Sequence, residues 1–82
     1  MLPEKPKEWS QNLRNQTVVC IDELSCFTPD GKVYFKNIDG RKSFALILDL
    51  IKNNIILHSC LDDNRYTFET VDNLIESGWV ID

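Results

Sequence analysis

Apolar and β-branched residues first run together in residues 17–21, a pattern that is typical of a strand buried on both faces. Residues 28–32 then predict a turn, because Pro29 presets φ at the first turn position and Gly31 accommodates a positive φ. Residues 32–38 are again rich in β-forming side chains. We therefore predict a β-hairpin in which the second of these strands returns beside the first.

Residues 41–53 show the period of an amphipathic helix. Their polar side chains cluster on one side of a helical projection, and apolar residues recur at i, i+3, i+4 and i+7. That apolar stripe consists of Phe44, Ile47, Leu48 and Ile51. The alternative is a second hairpin that turns within residues 51–55, and the tight polar clustering favours the helix.

The rest of the chain predicts two strands around one more helix. Residues 55–60 have the composition of a strand, and residues 61–66 that of a loop. Thr67 can cap a helix over residues 68–77, which has an apolar face and is followed by a glycine. Residues 79–81 are a short last strand.

These elements indicate one domain with a lead-in. Residues 1–15 are expected to be extended or to form a short helical turn, from about Lys7 to Arg14, that lays Trp9 onto the domain. Residues 16–82 are then a small single α+β domain in the order β-β-α-β-α-β. We expect a largely antiparallel sheet with two helices on one face.

Composition agrees with one soluble domain. The 82 residues are 43% hydrophobic and 27% charged, and no apolar run approaches the roughly 18 residues of a membrane helix. The first six residues are polar and give no sign of a secretory signal. Three cysteines are an odd number, which favours free thiols and a cytoplasmic location.

Charge is distributed unevenly. The net charge is −4, and residues 54–82 contain six acidic side chains but only one basic side chain, Arg65. An acidic surface repels phosphate backbones, so direct nucleic-acid binding is not expected. A protein with a basic surface, including a nucleic-acid-binding protein, is the partner that this charge suits.

The sequence contains only weak matches to metal-binding and catalytic motifs. Cys20, Cys26, His58 and Cys60 are zinc-type ligands, but a six-residue step along a strand spans about 20 Å, too far for one ion. The pair Asp62 and Asp63 lacks the ligand ring of a calcium loop. The chain contains no phosphate-binding, dinucleotide-binding or nucleophile-elbow motif. We predict no enzymatic activity, no cofactor and no metal.

An acidic stripe is the most informative functional pattern. Glu69, Asp72 and Glu76 are spaced i, i+3 and i+7 along the last predicted helix. Like charges at these spacings cost a few tenths of a kcal/mol each, a cost that a docking surface can justify. The alternative is an ordinary solvated face. The complete predicted partner-binding set is Glu69, Asp72, Glu76, Asp62, Asp63, Tyr66 and Trp79.

Residues 70–81 resemble a winged-helix protein at the point where the recognition helix runs into the wing. The shared features are Thr70 and Val71, followed by Leu74, Gly78 and Ile81. The resemblance implies DNA binding through the helix. The side that would face DNA carries acidic residues instead of lysine and arginine.

The functional hypothesis is therefore a small, acidic, non-enzymatic protein-binding domain. Its class would be accessory or inhibitor, as in immunity proteins, antitoxins and phage-type inhibitors. It would dock electrostatically through the acidic helix face, with Tyr66 or Trp79 as an apolar anchor. The alternatives are a winged-helix-like DNA-binding domain and a homo-oligomeric structural protein, such as a dimer formed through a sheet edge.

Overall fold

A computed structural model describes residues 9–82 as a small compact domain of mixed α/β type. It contains a five-stranded antiparallel sheet and three helices. The elements are α1 (Gln11–Glu23), β1 (Lys32–Asn37), β2 (Lys42–Leu46), α2 (Ile47–Ile51), β3 (Ile55–Ser59), β4 (Arg65–Phe68), α3 (Val71–Glu76) and β5 (Trp79–Ile81). The predicted element order was wrong, because within residues 9–82 the first element is a helix and there are three helices instead of two.

The sheet is curled, so that its two edge strands meet through their side chains. The strand order is β4-β3-β2-β1-β5, and every neighbouring pair is antiparallel. Tyr66 of β4 and Trp79 of β5 lie at opposite edges, yet their ring centroids are only 5.5 Å apart. The inner face of the sheet is therefore enclosed.

The core lies on this inner face. Strand residues that point inward alternate with exposed ones, as the burial pattern of β1 shows. Leu74 of α3 and Cys20 of α1 complete the core and are at most 1% exposed. The fully buried apolar strand side chains on this face are Val33, Phe35, Ala45, Leu57 and Trp79.

Helix α1 overturns the strand that we predicted for residues 17–21. Ser10 caps the helix by accepting a hydrogen bond from the Leu13 amide, at 3.3 Å. Thr17 and Cys20, three positions apart, face the core, while Val18 and Val19 are exposed. Burial at helical spacing thus prevails over the β propensity of the branched side chains. The predicted boundary between residues 15 and 16 lies inside this helix.

Residues 41–53 are half strand and half helix, so the predicted single helix was wrong. A tight turn at Gly40, where φ is +97°, leads β2 back along β1. Ser43 and Ala45 are both 0% exposed because they alternate inward from the strand. The apolar stripe was therefore shared between two elements, and its second part forms the five-residue helix α2.

Predictions for the other segments were better. The turn over residues 28–32 is confirmed, with Gly31 at a φ of +80°. The strands predicted at residues 32–38, 55–60 and 79–81 are confirmed as β1, β3 and β5. The partner of β1 is β2, however, instead of a strand over residues 17–21. The helix predicted over residues 68–77 begins only at Val71, because Phe68 is the last residue of β4.

The expected packing of Trp9 is confirmed. Its indole Nε1–H donates to the Gly78 carbonyl at 2.7 Å, and the side chain is half-buried. The first two residues of the helical turn predicted from Lys7 lie outside the described residues. Within residues 9–82, the longest helix has 13 residues, and none is long and apolar enough to cross a membrane.

Candidate functional site

Helix α3 positions two of the three stripe acids. The Thr70 hydroxyl caps the helix by accepting from the Asn73 amide at 3.1 Å. Asp72 and Glu76 are exposed on its outer side. Glu69 precedes the helix and is also exposed, so the stripe covers a bend and one short helix.

A groove between α1, α2 and the start of α3 lies beside this stripe. Its volume is about 550 Å³. Asp22 and Glu69 are its acidic lining residues, and no cation lines it among the described residues. Two of its apolar residues, Val18 and Ile51, are 39% and 57% exposed. The apolar lining includes Val18, Ile21, Leu24, Leu50, Ile51 and Val71.

A smaller groove of about 240 Å³ continues from it between α1 and α3. Val18 lines both grooves and joins them. Asp72 and Glu76 line the smaller groove together with Arg14. We call the two together the α1 groove. It places Glu69 on the apolar larger groove, and Asp72 and Glu76 on the smaller groove, whose lining is mostly polar.

The structure places the remaining predicted residues elsewhere. Asp62 and Asp63 lie in the loop between β3 and β4, where Asp62 accepts hydrogen bonds from the Asn64 amide at 3.0 Å and side chain at 3.1 Å. Both acids line a groove of about 380 Å³ that also contains Phe44 and His58. They do not line the α1 groove with the stripe acids.

Trp79 does not offer the surface anchor that the sequence suggested. It is 1% exposed and packs against Tyr66 in the core. The Arg41 guanidinium lies 5.2 Å from the centroid of each ring. A hydrogen bond with Tyr66 raises the pKa of Arg41, so this cation is held in its charged form. The half-buried Tyr66 side chain thus forms part of the contact between β4 and β5 that closes the sheet.

Sequence reasoning missed the floor of the α1 groove, because it assigned residues 17–21 to a strand. A helical signal is nevertheless present: Leu13, Thr17, Cys20 and Leu24 follow helical spacing, and all are buried or half-buried. Reading that spacing would also have placed Val18 and Asp22 together on the outer side of the helix.

The four residues weighed as zinc ligands have different environments. All three cysteines are free thiols, and Cys20 is buried while Cys26 and Cys60 are exposed. Burial raises the pKa of Cys20 to about 12, and a hydrogen bond with Cys26 adds to the shift. Within the described part of the chain, no group of three His, Cys, Asp or Glu side chains is placed to hold a metal ion.

No protein-family model, no curated protein and no solved structure matches the chain. The function of this protein is therefore inferred from the surfaces described above.

Proposed function

We propose that this protein is a small protein-binding domain of the accessory or inhibitor kind, which docks a basic, amphipathic segment of its partner in the α1 groove. The observation that carries the proposal is that acids adjoin an apolar groove of about 550 Å³: Glu69 of the stripe and Asp22 line it, and Asp72 and Glu76 line the smaller groove that shares Val18 with it. Neither feature alone would be sufficient, since acidic faces and exposed apolar side chains are both common on small proteins.

The apolar floor supplies the affinity in this proposal. Val18 and Ile51, which line it, keep 39% and 57% of their surface exposed. Burying apolar surface contributes about 25 cal/mol per Å² before the entropy of association is subtracted. An apolar helix face that enters a groove in this way is a common mode of peptide recognition.

The acids select the partner. Four carboxylates line the α1 groove, namely Asp22, Glu69, Asp72 and Glu76, and Arg14 is the one cation among its described lining residues. A lysine- and arginine-rich segment complements this charge and associates faster at low salt. Acidic or phosphate-bearing partners would be repelled from the same surface.

Structural details weigh against the alternative functions. A winged helix reads DNA with a recognition helix in a three-helix arrangement, whereas α2 and α3 have five and six residues here. Of the aromatic residues that could form a dimer, Phe35 and Trp79 are 0% and 1% exposed, whereas Tyr34 is 38% exposed. We therefore favour the protein-binding function.

Matched variants in a pull-down from lysate of the source cells test the proposal. Glu69→Lys and Ile51→Ser alter the α1 groove. Asp63→Lys and Leu61→Ser make the same changes in the β3–β4 loop, where Leu61 is 85% exposed. We expect one dominant protein that is retained at low salt, released at high salt, and lost with both groove variants only.

The captured protein should then bind in purified form with the same pattern of losses. Equal losses for the loop variants and the groove variants would contradict the proposal, because the interaction would then follow net charge or general stickiness. Binding that survives both Glu69→Lys and Ile51→Ser would place the partner on another surface.

A further inference from the structure

The outer face of the sheet presents a row of aromatic and cationic side chains. The strand register pairs Tyr34 with Phe44, Phe44 with His58, and His58 with Arg65, across four neighbouring strands. Directly paired residues share a face of the sheet, so these four side chains form one line. Ring centroids are 6.1 Å apart from Tyr34 to Phe44 and 5.2 Å apart from Phe44 to His58.

Lysines flank this row on the same face. Lys32 and Lys36 precede and follow Tyr34 on β1 with the two-residue spacing of one face, and Lys42 of β2 is paired with Lys36. The Lys32 ammonium lies 4.6 Å from the centroid of the Phe44 ring. The sheet face therefore combines π surfaces with positive charge, in contrast to the acidic α1 groove.

Two of these cations have acidic neighbours. Lys32 lies 3.8 Å from Asp30, and Lys42 lies 3.0 Å from Asp82. Among residues 9–82, Lys36 and Arg65 form no ion pair. The Lys36 ammonium lies 5.2 Å from the centroid of the Trp9 ring, and Arg65 shares its groove with Asp62 and Asp63. Lys36 is thus the cation of this face that lies away from the loop acids.

The groove of about 380 Å³ lies at the Arg65 end of the row. Phe44 and His58 line it, and the loop acids Asp62 and Asp63 lie beside Arg65. The Nε2 atom of His58 is buried and has no hydrogen-bond partner among the described residues. A planar ring with polar edges can stack on this wall and hydrogen-bond to a carboxylate of the groove. The same acids disfavour a phosphate inside the groove.

We propose that this sheet face binds single-stranded nucleic acid, with one base stacked on Tyr34, another in the groove at His58, and the phosphate backbone following Lys36 across β1 and β2. Unpaired bases offer the π faces that such a row recognises, and every base has one. An acidic peptide would pair with the lysines but would not stack on the aromatic rings. The net charge of −4 means that rings and local cations, instead of long-range attraction, supply the affinity.

The test is fluorescence anisotropy with labelled single-stranded DNA and RNA of about 12 nucleotides, a length within the usual site size. The intact chain is titrated at about 50 and 200 mM salt, since phosphate contacts weaken steeply over that range. Sodium poly-L-glutamate serves as an unlabelled competitor that has charge but no bases.

Two matched pairs of variants isolate the rings and the charge. Tyr34→Ser should weaken binding about fivefold or more, as expected for a lost stacking contact. Phe27→Ser, in the loop before β1 and 54% exposed, should have no effect. Lys36→Gln should lower the salt slope by about 0.7, the value for one phosphate contact on a single strand. Lys52→Gln, after α2, should leave the slope unchanged.

Far-UV circular dichroism confirms that each variant remains folded, and Lys36→Gln provides a test that does not alter an aromatic ring. Three results would overturn the proposal. These are no binding at the lower salt, equal effects of the matched variants, or displacement of the oligonucleotide by poly-L-glutamate at the same charge concentration. The last result would indicate a surface for acidic proteins.

Discussion

Gly78 is held between α3 and the turn that follows β1. Its φ is +94°, and a Cβ added there would lie 3.0 Å from Oδ1 of Asn37. Gly40 has a similar φ of +97°, but a Cβ there would meet nothing within 4 Å. We expect Gly78→Ala to lower the free energy of unfolding by about 2 to 3 kcal/mol and Gly40→Ala by about 1 kcal/mol, as measured by urea denaturation.

The difference between the two alanine variants measures the crowding at Asn37, because both share the backbone strain. Asn37 is 4% exposed and donates through Nδ2 to the Ser77 carbonyl at 3.0 Å, so it has little freedom to move. Equal losses of stability would show that the Asn37 side chain moves away from the added Cβ without lowering the free energy of unfolding.

The thiol of Cys20 should make folding stability depend on alkaline pH. Burial raises its pKa from 9.0 to about 12 in the folded protein, so the folded state holds this proton more tightly than the unfolded chain does. The stabilisation is complete below pH 9 and is lost as the pH rises from about 9 to 12. Denaturation of the protein and of Cys20→Ala, measured across this range, should show a steeper decline for the unaltered protein.

Lysine and tyrosine residues also titrate at these pH values, so the comparison with Cys20→Ala is essential. A parallel decline in the two proteins would mean that the Cys20 thiol ionises as readily in the folded state as in the unfolded one.

At the scale of elements, Thr17 joins helix α1 to the edge strand β5. Its hydroxyl donates to the Leu13 carbonyl at 2.8 Å and accepts from the Ile81 amide at 3.1 Å. Thr17→Val keeps the shape but removes the acceptor, and an unpaired buried amide costs about 1 to 3 kcal/mol. We expect a loss of stability of that size by urea denaturation and faster hydrogen exchange at the Ile81 amide.

Thr67→Val provides the matched control, because Thr67 is exposed on β4 and its change should be near zero. If Thr17→Val is as stable as the unaltered protein, the Ile81 amide must find another acceptor and the link between helix and strand is dispensable.

Local signals explain which elements could be predicted. The strand β5 and the end of helix α3 were accessible from sequence because Gly78 and short apolar runs mark them, whereas the cap predicted at Thr67 was wrong and lies at Thr70. Helix α1 was not, because its branched side chains favour a strand and only packing against β5 reverses that preference. Strand β2 was missed because Phe44 and Ile47 happen to continue a helical period.

At the scale of the whole molecule, the two proposed binding surfaces have opposite charge. The acids Glu69, Asp72 and Glu76 were visible in the sequence, and they line the α1 groove. The groove floor could not be predicted, because it needs α1 and α2 as helices. The aromatic row of the sheet face was equally inaccessible, since only the register of four strands aligns Tyr34 with His58.

The contacts between α1 and β5 also govern when the molecule can fold. Trp9 bonds to Gly78 across 69 positions of sequence, and Thr17 bonds to Ile81 across 64. On a translating ribosome, α1 emerges before β5 and cannot make these two hydrogen bonds until the residues of β5 have left the exit tunnel. The core-facing side of the helix, with Thr17 and Cys20, is thus accessible to chaperones during that interval, and such distant contacts are slow to form.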